Sequence, residues 1–171
     1  MSALLIDTAD AARRELTRSD HLSLSQMPRL GSVVVATTEP VEAMFAATTD
    51  RAGRAMATLA LRARLPLRCT HCEQPVWINI QRDARFMFVA DEAALDAIDP
   101  ADEDDDVDPV VGGRRFDLAN LIEDEILLAL PIAPRHDDCQ SAVERQRERQ
   151  EPVPARHQPF AALGALRSDK G

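Results

Sequence analysis

Apolar and polar residues alternate with a period of two over residues 57–68. Leu59, Leu61, Ala63, Leu65 and Leu67 fall on one face, and Ala60, Arg62, Arg64, Pro66 and Arg68 on the other. That pattern predicts a half-buried strand. Pro66 has no N–H to give a ladder, which puts this end at a sheet edge or a strand exit. Residues 69–72 make a tight connection, and 76–81 alternate again. The two segments therefore predict a hairpin with Cys69 and Cys72 at or near its tip. Residues 86–89 predict a further short strand.

Upstream, 8–17 reads as a short helix that Thr8 or Asp10 could cap. A turn near 28–31 leads into a strand at Val33, Val34 and Val35. Residues 41–49 fit a strand or a helix, and 50–53 form a turn. Downstream, 93–98 allows a short helix and Phe116 a short return strand. The strongest helix signal is 117–130, with Asp117 as N-cap and Pro131 as stop. At about 100° per residue, Leu118, Leu121, Ile122, Leu128 and Ala129 share a face, with Glu125 in its middle. Leu127 lies opposite, so the helix is expected to be covered on more than one side. Glu123 and Asp124 are expected to face solvent.

Composition narrows the class. At 45% apolar, the 171-residue chain can build a core. No apolar run reaches the roughly 18 residues that cross a bilayer. Residues 1–20 carry acids in a mixed pattern, unlike a secretory signal. Three cysteines suit a disulfide framework poorly and point to a reducing, cytoplasmic setting. The net charge is −9, but ten acids and no Lys or Arg lie between Asp91 and Asp108. The remainder is close to neutral and carries a local +5 over 51–68, so the low pI does not by itself argue against nucleic acid. The acidic run reads as a solvated linker, a mimic of nucleic acid folding back on the arginines, or a dock for a basic protein.

Three constellations carry candidate chemistry. Cys69-x-x-Cys72 has the spacing of half a tetrahedral thiolate site, and His136-x-x-Cys139 could supply the other half. Together they point to a closed structural zinc, with His71 as a competing ligand. Reduced, metal-free thiols or a redox pair are the alternatives. Arg62, Arg64 and Arg68 share a strand face suited to phosphates, and Trp77 could stack a base. An ordinary solvated face, with Trp77 under a loop, is the competing reading. Glu123, Asp124 and Glu125 invite an acid/base reading. A helix acid paired with an Arg and fixing how the helix docks explains Glu125 better. No nucleophile triad, phosphate loop or dinucleotide fingerprint appears.

Three segments, in order, resemble the YceD/DUF177 family, the large ribosomal RNA subunit accumulation proteins. They are Leu67-Arg68-Cys69-Thr70-His71-Cys72-Glu73-Gln74-Pro75, the run from Asp117 through Glu123-Asp124-Glu125 to Leu130-Pro131 and Pro134-x-His136, and Gln158-Pro159-Phe160-Ala161-Ala162-Leu163-Gly164-Ala165-Leu166. The resemblance implies a factor supporting synthesis, processing or stability of large-subunit (23S) ribosomal RNA. Its partner would be that RNA, its precursor, or a ribosomal or biogenesis protein. Neither a membrane nor a small-molecule substrate is expected.

The sequence thus predicts one α+β domain over 1–139. An antiparallel, partly closed sheet or barrel packs against one long helix, with an acidic loop inserted at 91–110. A flexible tail, 140–171, carries an apolar docking motif at 159–166 built on Phe160, Leu163 and Leu166. The expected function is a non-enzymatic ribosome-biogenesis factor. The competing class is a protein–protein adaptor that docks a basic partner through the acidic loop and the tail motif, without touching RNA.

Overall fold

A computed structural model describes residues 4–98 and 106–139. The tail motif at Phe160, Leu163 and Leu166 lies outside the described residues. In chain order the elements are β1 (Leu5–Ile6), α1 (Thr8–Arg13), β2 (Thr17–Leu22), a 3-10 turn (Leu24–Gln26) and α2 (Pro28–Val33). Then follow β3 (Val41–Thr49), β4 (Ala55–Arg68), β5 (Pro75–Val89), α3 (Glu92–Asp96), β6 (Asp108–Val111), β7 (Phe116–Asp117) and α4 (Leu118–Ala129).

Period-two burial decides the architecture. In β3, Val41, Ala43, Phe45 and Ala47 are buried while Glu42 and Met44 are exposed, which resolves 41–49 as a strand. β4 places Leu59, Leu61, Leu65 and Leu67 inward, as its alternation predicts. The main sheet has the order β2-β3-β4-β5-β6. All pairs are antiparallel except β5 with β6, which run parallel. β1 and β7 form a separate two-stranded pair, which realises the return strand at Phe116.

One face of the sheet is covered. Phe45, Leu59, Leu61, Leu65 and Phe86 pack there with Met27, Leu30, Leu118, Ile122 and Ile126. The outer face leaves Glu42, Met44, Arg62, Arg64, Trp77, Asn79 and Gln81 exposed. Such one-sided coverage is what alternating strands in an antiparallel sheet encode.

Several expectations change. The sheet is open among the described residues: β2 and β6 are its two edges and do not pair with each other, so the partial barrel is absent. The helix at 117–130 is 12 residues, about three turns, not a long one. Its N-cap is as expected, Asp117 Oδ1 accepting from the N–H of Ala119 at 3.0 Å. Leu128 is not on the buried face; it is 73% exposed, and Ile126 is buried in its stead. The valine run is not a strand. Pro28 starts α2, and Leu30 and Val34, four apart, are both buried. Helical spacing onto the core outweighs the β preference of three valines.

β5 is one 15-residue strand rather than two. Its polar middle, from Gln81 to Arg85, keeps the alternation, with Ala84 inward and Gln81, Asp83 and Arg85 outward. The helix at 8–17 stops at Arg13, because Glu15 takes a left-handed φ of 50°. Asp7 caps it, accepting from the N–H of Asp10 at 2.9 Å. The acidic stretch is not simply a loop: its described part supplies α3 and the first residue of β6, as the crossover joining the parallel pair. Pro66 lies where β4 has run past β3. Its N–H-less side faces no ladder there, and its carbonyl accepts from the N–H of Val35 at 2.8 Å.

Candidate metal centre and nucleic-acid face

The hairpin tip is a closed turn. Cys69 donates its N–H to Gln74 O at 2.9 Å, and Glu73 donates to Cys69 O at 2.9 Å. Glu73 takes φ 63° to complete the reversal. After α4 the chain returns to this tip as a strap, residues 131–139. Thr70 donates its N–H to Pro134 O at 2.9 Å. His136 Nε2 donates to Pro75 O at 3.0 Å, which leaves Nδ1 free and turned to Cys72 Sγ at 3.5 Å. The Sγ atoms of Cys69 and Cys139 stand 3.4 Å apart. All four ligand atoms of Cys69, Cys72, His136 and Cys139 lie within 4.8 Å of one another.

Those distances fit a tetrahedral ion. Zinc–sulfur bonds of about 2.3 Å put tetrahedral ligands roughly 3.7 Å apart. The second shell also fits: the Pro75 carbonyl orients the imidazole as a metal site requires. Burial works to raise the Cys69 thiol, but the backbone N–H groups of Cys72, His71 and His136 hold it down to about 5. Burial pushes Cys139 up to about 12, and its hydrogen bond to Cys69 adds to that. Three crowded sulfurs share their negative charge poorly without a cation. His71 is not part of the set. Its Nδ1 lies 3.2 Å from the Cys139 carbonyl and 3.2 Å from the Arg135 guanidinium. The cluster is compatible with zinc.

A second constellation lies on the outer face of the same hairpin. Arg62, Arg64 and Arg68 are exposed along β4. Across the ladder, Arg62 faces Gln81, Arg64 faces Asn79, and Pro66 faces Trp77. The Arg64 guanidinium lies over the Trp77 ring, 4.6 Å from its centroid. Trp77 is 44% exposed, with Arg135, Asp137 and Asp138 of the strap lining a cavity beside it. Arg64 also meets Glu39 at 3.5 Å. Arg51 and Arg54 sit before β4 begins, with Arg54 held by Asp50 at 2.7 Å. The row is therefore three arginines long, and the amides of Asn79 and Gln81 join it. The period-two pattern of 76–81 already placed those two amides outward.

The acidic stretch leaves β5 at the far end of the hairpin, where Phe88 pairs with Ala55. At about 3.3 Å per residue, that is nearly 40 Å from Trp77. The described part of the stretch lies away from Arg62, Arg64 and Arg68; its Ala97, Ile98 and Val107 line a cavity with Arg54 and Arg85.

All three acids of α4 are committed to ion pairs. Glu123 is not solvent-facing: it is 1% exposed and accepts from Arg29 Nε and from the Leu30 N–H, each at 2.9 Å. Asp124 pairs with the other arm of Arg29. Glu125 accepts from Arg82 Nε at 2.9 Å, the arginine partner its position calls for. Arg29 and Arg82 carry no local signal, because their partners lie 94 and 43 residues away.

Residues 57–167, from β4 through the strap and beyond, match a family model described as large ribosomal RNA subunit accumulation protein YceD. The chain belongs to the YceD family. A large ribosomal RNA subunit accumulation protein YceD from Haemophilus influenzae (strain ATCC 51907 / DSM 11121 / KW20 / Rd) is 23% identical over 171 residues, covering 96% of this chain and 95% of that one. No solved structure matches the chain. Among the described residues, no helix is long and apolar enough to cross a membrane.

Proposed function

We propose that this YceD-family chain supports accumulation of large-subunit ribosomal RNA in the cytoplasm as a non-enzymatic factor that holds unpaired RNA on its open sheet face. The observation that carries the reading is the exposed Arg64–Trp77 stack, set in a row with Arg62 and Arg68. Alternate residues on a strand stand about 6.6 Å apart, so Arg62 and Arg64 meet successive backbone phosphates and Arg68, about 13 Å beyond Arg64, meets a later one. Trp77 offers a π-face to any base, and Asn79 and Gln81 offer donors and acceptors to base edges. A uniform duplex presents no splayed bases, so single-stranded loops and ends of precursor RNA are the ligands. The same reading gives Cys69, Cys72, His136 and Cys139 one structural zinc. Four protein ligands close the coordination sphere and leave no position for chemistry.

The test is binding of single-stranded RNA oligomers across a salt series. Affinity should fall steeply with salt. Trp77→Ala should cost about 1–3 kcal/mol of binding, and Arg62→Glu with Arg64→Glu should lower affinity at least tenfold. Unchanged RNA retention in the double variant would remove the arginine face from the account.

A further inference from the structure

We infer that Cys69 and Cys139 are an oxidative cross-linking pair: an oxidant of the peroxide class joins their sulfurs in a disulfide and leaves Cys72 reduced. The two Sγ atoms already stand 3.4 Å apart across the hairpin–strap junction. Cys72 faces the imidazole of His136 at 3.5 Å, and its sulfur also neighbours that of Cys139. A Cys69–Cys72 bond would have to form inside one tight turn. The Cys69–Cys139 bond joins two segments that the Thr70–Pro134 and His136–Pro75 hydrogen bonds already hold in register. It therefore forms with little backbone movement, which disulfide geometry demands.

Peroxide reaches the junction from its half-buried strap side, at Cys139. Its O–O bond breaks, one sulfur of the pair takes one oxygen as sulfenic acid, and one water leaves. The other sulfur displaces the hydroxyl, and its proton leaves with that hydroxyl as a second water. Both sulfurs are oxidised, and the peroxide is reduced to two waters.

The consequence for metal rests on the zinc reading above. The disulfide consumes two of the four donors, and Cys72 with His136 alone do not make a structural site. The ion leaves, yet the strap stays tied to the hairpin. Oxidation exchanges a metal pin for a covalent one at the same junction.

The experiment uses the full chain with its zinc content measured beforehand. One equivalent of hydrogen peroxide is added, free thiols are alkylated, and non-reduced peptides are mapped by mass spectrometry while released zinc is followed with a chromogenic chelator. The expected result is a Cys69–Cys139 peptide pair, alkylated Cys72, and one zinc released per disulfide. Cys72→Ser should retain the cross-link, and Cys139→Ser should lose it within the chain. A Cys69–Cys72 link, a Cys72–Cys139 link, an intermolecular link, or sulfinic acid without any link would overturn the pairing. If the chain as isolated carries no zinc but Cys69 still joins Cys139, the zinc reading fails and the pairing stands. If zinc is present and no link forms, the pairing fails and the zinc reading stands.

Discussion

Glu123 brings a carboxylate to a position 1% exposed, and both of its oxygens are used. One accepts from Arg29 and the other from the Leu30 N–H. The second bond matters more for stability, because it satisfies a backbone donor at the start of α2 that has no intrahelical partner. Glu123→Ala leaves that N–H buried and unpaired, at about 2–3 kcal/mol. Urea denaturation should show a loss of that size, and a loss below about 1 kcal/mol would mean that water replaces the carboxylate there. The residue was misread from sequence for a physical reason. Helical position alone puts Glu123 well off the apolar stripe, and only α2, contributed from far upstream, covers that side. Glu125 was legible because an acid in the centre of an apolar stripe must have a partner. Which arginine supplied it was not.

At the scale of elements, the strands of the hairpin were legible wherever their alternation used apolar residues. β4 follows its pattern from Ala57 to Leu65, and Pro66 departs from it, buried where its carbonyl meets the Val35 N–H. β5 was broken in two because polar residues fill both faces over part of its length. The parallel β5–β6 pair was hidden altogether, since four residues beside an acidic run carry little pattern. The metal cluster was legible as two local halves, and only the fold joins them. The junction buries little apolar surface: Cys69, Cys72 and Val76 form a small buried cluster apart from the main core. With zinc bound, the metal would dominate the energetics of the strap. Chelation should lower the melting temperature by about 10 °C or more while leaving most of the sheet signal in circular dichroism. The Thr70 amide should lose its protection against hydrogen exchange as its bond to Pro134 O opens. A melting curve unmoved by chelator would show that the strap is held without an ion.

At the scale of the whole molecule, charge is placed unevenly along one hairpin. Arg62, Arg64, Arg68 and Trp77 lie toward the tip, where Asp137 and Asp138 of the strap line a cavity beside Trp77, and the acidic stretch from Asp91 leaves at the opposite end. The junction of strap and hairpin tip also has a consequence in time. Its contacts close a loop of some 70 residues, from Cys69 to Cys139. The β4–β5 ladder, by contrast, zips from a turn of six residues. Long closures come late, after local pairing has lowered their entropic cost. An ion that binds only the closed junction thus acts after the rate-limiting step. Stopped-flow kinetics with and without zinc should show refolding nearly unchanged and unfolding slowed at least tenfold. The metal would then govern how long the native state lasts, not how quickly it is reached.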